Sequence, residues 1–243
     1  QKIQSSKQIF DISSGGSGIT LNVDNHEVKA DLFIDCMGEN SFIAKNSYVT
    51  NSTAIWGMSD FSNEFFKTFN NFMFEGMHFV TYPLTKNHTA YTLVLNNSKF
   101  QNRNYKNVTK EDLNMFLKNQ FEDLINNSND NVIRPIKGSK MNKWGAGNII
   151  CLGDSAHSIT PHLAQGAAQG LIDAAYLNRG LSTNIDPEDF FSKRNLIINK
   201  IRLESKLNKN RYQLGMPFKL LRNIYLKLYK PNYGWLFNSK YEA

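Results

Sequence analysis

Residues 148–175, NIICLGDSAHSITPHLAQGAAQGLIDAA, decide the fold. Asn148 to Leu152 is an apolar run of strand length, followed by a tight Gly153-Asp154 exit and a loop through Pro161. Residues 163–179 are rich in Ala and Leu and read as a helix. A carboxylate at the C-terminal end of a buried strand can accept hydrogen bonds from ribose or ribityl hydroxyls. Small residues at Gly166, Ala167 and Ala168 let a ligand approach the backbone, and a helix N-terminus favours an anion or an electron-rich atom.

Working outward, residues 30–36 (ADLFIDC) form a second apolar run that closes at Met37-Gly38, as a buried parallel strand would. Upstream, residues 8–14 and 18–23 read as strands joined by the turn Gly15-Gly16-Ser17-Gly18. Between the two apolar runs, strand patterns at Ala54 to Met58, His78 to Tyr82 and Tyr91 to Leu95 flank an aromatic stretch from Phe61 to Phe74, read as core before substrate box. Thr109 and Asp112 resemble a capping box that starts one helix running through Leu113, Leu117, Phe121 and Ile125. Asp186-Pro187 opens a long helix to about Lys209, and an amphipathic stretch spans 217–230.

The chain has 243 residues and a net charge of +7. Residues 1–190 hold 16 basic and 19 acidic side chains, while 191–243 hold 12 basic and two acidic ones. The positive balance therefore belongs to the C-terminal segment, which removes the support for a nucleic-acid partner. Apolar residues make up 41% and no run is long enough to span a bilayer, which excludes a disordered tail and a membrane bundle. Cys36 and Cys151 are too few for a disulfide scaffold and are read as buried thiols, so a reducing, cytoplasmic location is expected.

The 148–175 window resembles the Gly-Asp motif of the group A flavoprotein monooxygenases, the para-hydroxybenzoate and salicylate hydroxylase type. The matching positions are Gly153, Asp154, Ser155, Ala156, His157, Pro161, Gln165, Gly166, Ala167, Ala168, Asp173 and Ala174. Lys29 to Ser41 is similar to the family's second fingerprint, with Gly38, Asn40 and Ser41 in place. Met37 stands where an Asp is usual, and the Arg expected near Ala44 or Lys45 is missing. His78 to Leu84, with its Tyr82-Pro83, resembles the substrate-domain strand of the salicylate hydroxylase branch, as do Arg134-Pro135 and Trp144 before the Gly-Asp strand.

The resemblance implies an α/β fold: a glutathione-reductase-like three-layer FAD-binding domain, a mostly antiparallel substrate-domain sheet, and C-terminal helices. It divides the chain into 1–46 and 141–180 for FAD, 47–140 for the substrate domain and 181–243 as a basic helical segment. The family's opening Gly-x-Gly-x-x-Gly unit has no match here, so about 150 residues, one domain's worth, are expected upstream and this chain alone is expected to be inactive. Implied for the parent enzyme is hydroxylation of an aromatic or similar small molecule with FAD, NAD(P)H and O₂. Gly38, Gly153, Asp154, Pro161, Gln165, Gly166, Ala167 and Ala168 would bind FAD, with Asp154 on its ribityl region; Trp56, Tyr82 and Pro83 are candidates for the substrate pocket. The chemistry would be flavin-centred, with no catalytic side chain assigned.

Other readings stand beside it. His157 and His162 are five apart around Pro161 and lack a third ligand, which argues against metal. Ser155 lacks the Gly-x-Ser-x-Gly elbow of a hydrolase. A remnant or subunit without flavin, or a related flavoenzyme such as a halogenase, are the alternative functions. The 217–230 stretch offers peripheral membrane contact or a homodimer contact, although packing on the flavin domain with its basic face in solvent is the plainer reading.

Overall fold

The computed structural model describes residues 9–15, 18–41, 47–99, 108–140, 142, 144–183, 187–229 and 232–237. The chain divides into two compact units, one of residues 1–48 with 137–203 and the other of 49–136 with 204–243.

The first unit contains two small sheets. Strands β1 (Ile9–Gly15), β2 (Gly18–Val23) and β3 (His26–Ala30) form an antiparallel meander, with Gly15 opposite Gly18 across the expected turn. Gly16 and Ser17 of that turn lie outside the described residues. Strand β4 (Phe33–Asp35) pairs in parallel with β11 (Ile149–Cys151), and β11 pairs antiparallel with β10 (Gly145–Ala146). The expected single strand over 30–36 is corrected: Ala30 ends β3, the chain bends at Asp31, and β4 begins at Phe33. Hydropathy alone ran the two together, because Ala30 belongs to one sheet and Phe33 to another. Helices α3 (Asp154–His157) and α4 (Gly166–Thr183) follow β11, and Leu177 of α4 packs on Ile150 and Leu152.

The second unit is built on a five-stranded sheet in the order β6-β7-β8-β5-β9. Its strands are β5 (Ser47–Ser59), β6 (Asn70–Phe74), β7 (Met77–Pro83), β8 (Thr89–Asn96) and β9 (Val132–Ser139). Register places Ile55 opposite Leu93 and Leu93 opposite Phe79, and these three buried side chains make one face of the core. Helices α1 (Lys110–Phe116) and α2 (Glu122–Asn126), with the caps between them, cover that face with Leu113, Leu117, Phe121 and Leu124. Thr109 closes the expected capping box with Asp112, but the single helix through Ile125 is corrected to two. Lys118 and Asn119 take positive φ (53° and 54°), which breaks the i to i−4 ladder while both segments keep their apolar residues on one core.

The aromatic stretch divides. Phe66 is buried, Phe61, Phe72 and Phe74 pack on the core, and Phe65 and Phe69 are exposed.

Helix α5 (Pro187–Tyr212) carries a buried stripe at Arg194, Ile198, Ile201, Ser205 and Asn208, the spacing of one helix face. After it comes α6 (Phe218–Leu228). Among the described residues no helix is long and apolar enough to cross a membrane.

Candidate functional site

The Gly153-Asp154 turn is held from both sides. Gly153 has φ +59° and ψ −136°, a backbone region that glycine alone enters without strain. A Cβ at Gly153 would stand 3.5 Å from Gly170 Cα, an ordinary contact, so it is the backbone angle that calls for glycine there. The Gly153 N–H donates to Asp173 Oδ2 at 3.0 Å, and the Ser155 hydroxyl donates to Asp35 Oδ1 at 3.0 Å. The two neighbours of Asp154 are thus anchored to separate carboxylates, one on α4 and one on β4, both fully buried.

Each of these carboxylates is well supplied with donors, as a buried charge requires. Asp35 also accepts from the Met37 N–H at 2.9 Å and the Ser41 hydroxyl at 2.5 Å, and the Gly38 N–H donates to Ser155 Oγ at 2.7 Å. Asp173 pairs with His157 Nε2 at 2.6 Å and receives Arg194 Nε at 2.8 Å. Arg194, a fully buried side chain, donates to Gln169 Oε1 at 2.9 Å, and Gln169 Nε2 donates to Gln165 Oε1 at 3.1 Å. The sequence-expected Gln165 is therefore buried and tied to α5 through Gln169 and Arg194.

Asp154 is left with its carboxyl at the edge of this network, reaching solvent. Burial by the surrounding residues pushes its pKa above the ordinary 3.8; His157 pulls it down, Glu39 adds to the rise, and a hydrogen bond from the Ile159 backbone opposes it. Gly38 (φ +64°) opens the 3₁₀ turn Gly38–Asn40, and a Cβ there would stand 3.9 Å from Asp154 Cβ. At Gly166 a Cβ would stand 3.8 Å from Asp154 Oδ1. The two glycines keep a shallow cradle open beside the carboxyl. Ala167 and Ala168 are exposed in the first turn of α4, where main-chain N–H groups have no intrahelical acceptor. Pro161 starts the 3₁₀ turn Pro161–Leu163, which ends in left-handed Ala164. This arrangement fits a ligand with hydroxyl donors for Asp154 and acceptors for the helix N-terminus.

Ser155 and His157 serve different carboxylates, so they do not form a nucleophile and base pair. Cys36, expected to be buried, is exposed; Cys151 is buried, with its thiol 3.9 Å from Asp35 Oδ2. Strand β4 stops at Asp35, and the chain turns away at Cys36.

In the second unit, Trp56 (37% exposed) lies opposite Thr92, and Tyr82 (40% exposed) lies opposite Ala90. With the side-chain period of two, they share the sheet face not covered by α1 and α2, together with Met58, Val80 and Thr92. Pro83 falls on the other parity at the end of β7.

Sequence reasoning missed Asp35, Gln169 and Arg194. For Arg194 a signal existed: it stands four residues before Ile198 and seven before Ile201, on the apolar stripe of its helix.

Residues 15–188 match the family model described as the FAD binding domain. Curated relatives match over short segments. FAD-dependent monooxygenase verC1 of Penicillium polonicum is 32% identical over 71 residues, which is 28% of this chain and 9% of that protein. 6-Hydroxynicotinate 3-monooxygenase of Bordetella bronchiseptica is 53% identical over 36 residues, 15% of this chain and 9% of that protein. Among solved structures, Klebsiella pneumoniae HpxO complexed with FAD and uric acid superposes with a TM-score of 0.75 at 16% identity, over 97% of this chain and 65% of that one. A salicylate hydroxylase substrate complex gives 0.71 at 17% identity, over 94% of this chain and 69% of that one. The chain thus spans about two thirds of these structures, and its matches span about a tenth of the curated relatives.

Proposed function

This chain belongs to the FAD-binding family of group A flavoprotein monooxygenases, and we propose that it supplies the flavin-holding turn and the substrate sheet of an FAD-dependent aromatic hydroxylase. The observation that carries this reading is the doubly anchored Gly153-Asp154-Ser155 turn, which presents one carboxyl beside the glycine cradle and the α4 N-terminus.

In this reading the unit of residues 1–48 and 137–203 is a glutathione-reductase-like flavin domain. Asp154 accepts ribityl hydroxyls of FAD, while Gly38, Gly153 and Gly166 let the cofactor approach the main chain. Pro161, Gln165, Ala167 and Ala168 line the ring and offer the α4 amides to its electron-rich edge. Bound FAD would supply the redox chemistry, taking electrons from NAD(P)H and passing one oxygen atom of O₂ to the substrate. The chain's own task is placement: Asp173 and Asp35 fix the turn before the ligand arrives, so binding does not have to order it. Trp56 and Tyr82 would offer an aromatic face to an aromatic acid or heterocycle.

NAD(P)H oxidation by the FAD-loaded parent enzyme across a panel of aromatic acids and hydroxypyridines tests the reading. We expect oxidation stimulated by at least one compound, with a product one oxygen atom heavier. Bound flavin with no stimulated oxidation and no oxygenated product from any of them would overturn the hydroxylase assignment.

A further inference from the structure

Helix α6 is amphipathic in the inverted sense. Leu220, Leu221, Ile224 and Leu228 lie on one face by their spacing, and all four are 54% to 69% exposed. The side chain turned inward is a cation: Arg222 is only 7% exposed and donates through Nη1 to the carbonyls of Arg211 and Tyr212, both at 3.2 Å, at the C-terminus of α5. A guanidinium on the last carbonyls of a helix is a specific cap, which fixes the rotation of α6 and keeps its aliphatic face outward. Tyr225 and Tyr229 stack at 5.6 Å along the side of that face, and Met216 and Phe218 extend it at the N-terminal end, all exposed. From Ser205 to Tyr241 the sequence carries eight lysines and arginines and no acidic residue, while Glu75 lies against Gly215 ahead of α6 and Glu204 pairs with Arg211. Lys227 is exposed beside the aliphatic stripe. The packing with an apolar face inward and a basic face in solvent, expected for 217–230, is therefore corrected.

We infer that α6 docks the protein on an anionic lipid bilayer, with Leu220, Leu221, Ile224 and Leu228 entering the interface and Lys227 meeting the headgroups. Charge complementarity selects this occupant: an apolar stripe in a segment of net positive charge suits a negatively charged surface, whereas a second copy would set like charges against one another. Eleven residues are too few to span a bilayer, so the helix lies in the plane of the surface.

Co-sedimentation of the full chain with vesicles tests this. Binding to vesicles of phosphatidylserine and phosphatidylcholine in equal parts should exceed binding to phosphatidylcholine alone by about tenfold or more, and should weaken with added salt. L221S/I224S should abolish binding while leaving the melting curve unchanged, and K227E should lower binding to the anionic vesicles alone. Wild-type protein that stays in the supernatant, or variants that bind like wild type, would overturn the proposal. So would a wild-type dimer in sedimentation velocity that L221S/I224S converts to monomer without any dependence on vesicles.

Discussion

Asp173 Oδ1 receives Arg194 Nε at 2.8 Å while its Oδ2 holds the Gly153 N–H at 3.0 Å, so one buried carboxylate joins the cation of α5 to the turn that presents Asp154. Removing one member leaves the other charge unpaired in the interior. D173N should therefore cost about 3–5 kcal/mol of stability by urea denaturation. Combining D173N with R194M should recover part of that loss in a double-mutant cycle, since neither variant group then strands a charge.

The turn itself depends on glycine. G153A places a Cβ at a backbone angle that L-residues avoid and should lower stability by about 1–3 kcal/mol. Because the strain falls on the residue before Asp154, flavin affinity measured by fluorescence quenching should fall beyond what the loss of folded protein explains.

Asp154 gives a pH signature. A carboxyl whose folded pKa is raised adds stability that is complete below its ordinary value of 3.8 and is lost as pH rises through the folded value. At neutral pH its ionised form therefore works against the fold. D154N should melt higher than wild type at pH 7, and the gap should close as the pH is lowered toward 4. A scan in which D154N melts lower at neutral pH would show that the carboxylate stabilises the turn.

Trp56 and Tyr82 test the second unit. Both are partly exposed on the sheet face opposite α1 and α2, and Trp56 keeps most of its ring surface covered, so W56A should cost about 1–3 kcal/mol of stability. The same variant should weaken aromatic-ligand binding by about fivefold or more in equilibrium titrations, through loss of a stacking surface. In G57A the Cβ would overlap the Tyr91 ring at 2.2 Å, which should cost about 1–3 kcal/mol through overpacking and leave the exposed face intact.

What could be read from the chain in advance followed the range of each signal. The strand at Ile149–Cys151, the Thr109 capping box and the α4 helix are local patterns, and local patterns survive without tertiary information. The break at Lys118–Asn119 was hidden because apolar spacing continues across it; only the positive φ values reveal it. Asp35 and Arg194 looked like ordinary charges, since their burial depends on partners 120 and 21 residues away. The amphipathic pattern of α6 was visible, but its orientation was not: a helical wheel gives the faces, and the Arg222 cap on α5 decides which one turns inward.

We propose Asp154, held between two anchored neighbours, as the carboxylate that holds the flavin. Titration of FAD into the parent enzyme and into its D154A variant, followed by flavin fluorescence, tests it most directly. Loss of a charge-assisted hydrogen bond worth about 1.5–3 kcal/mol predicts a Kd for D154A about ten- to a hundredfold weaker, with the melting temperature of the free protein unchanged or raised. Equal affinities for the two proteins would contradict it.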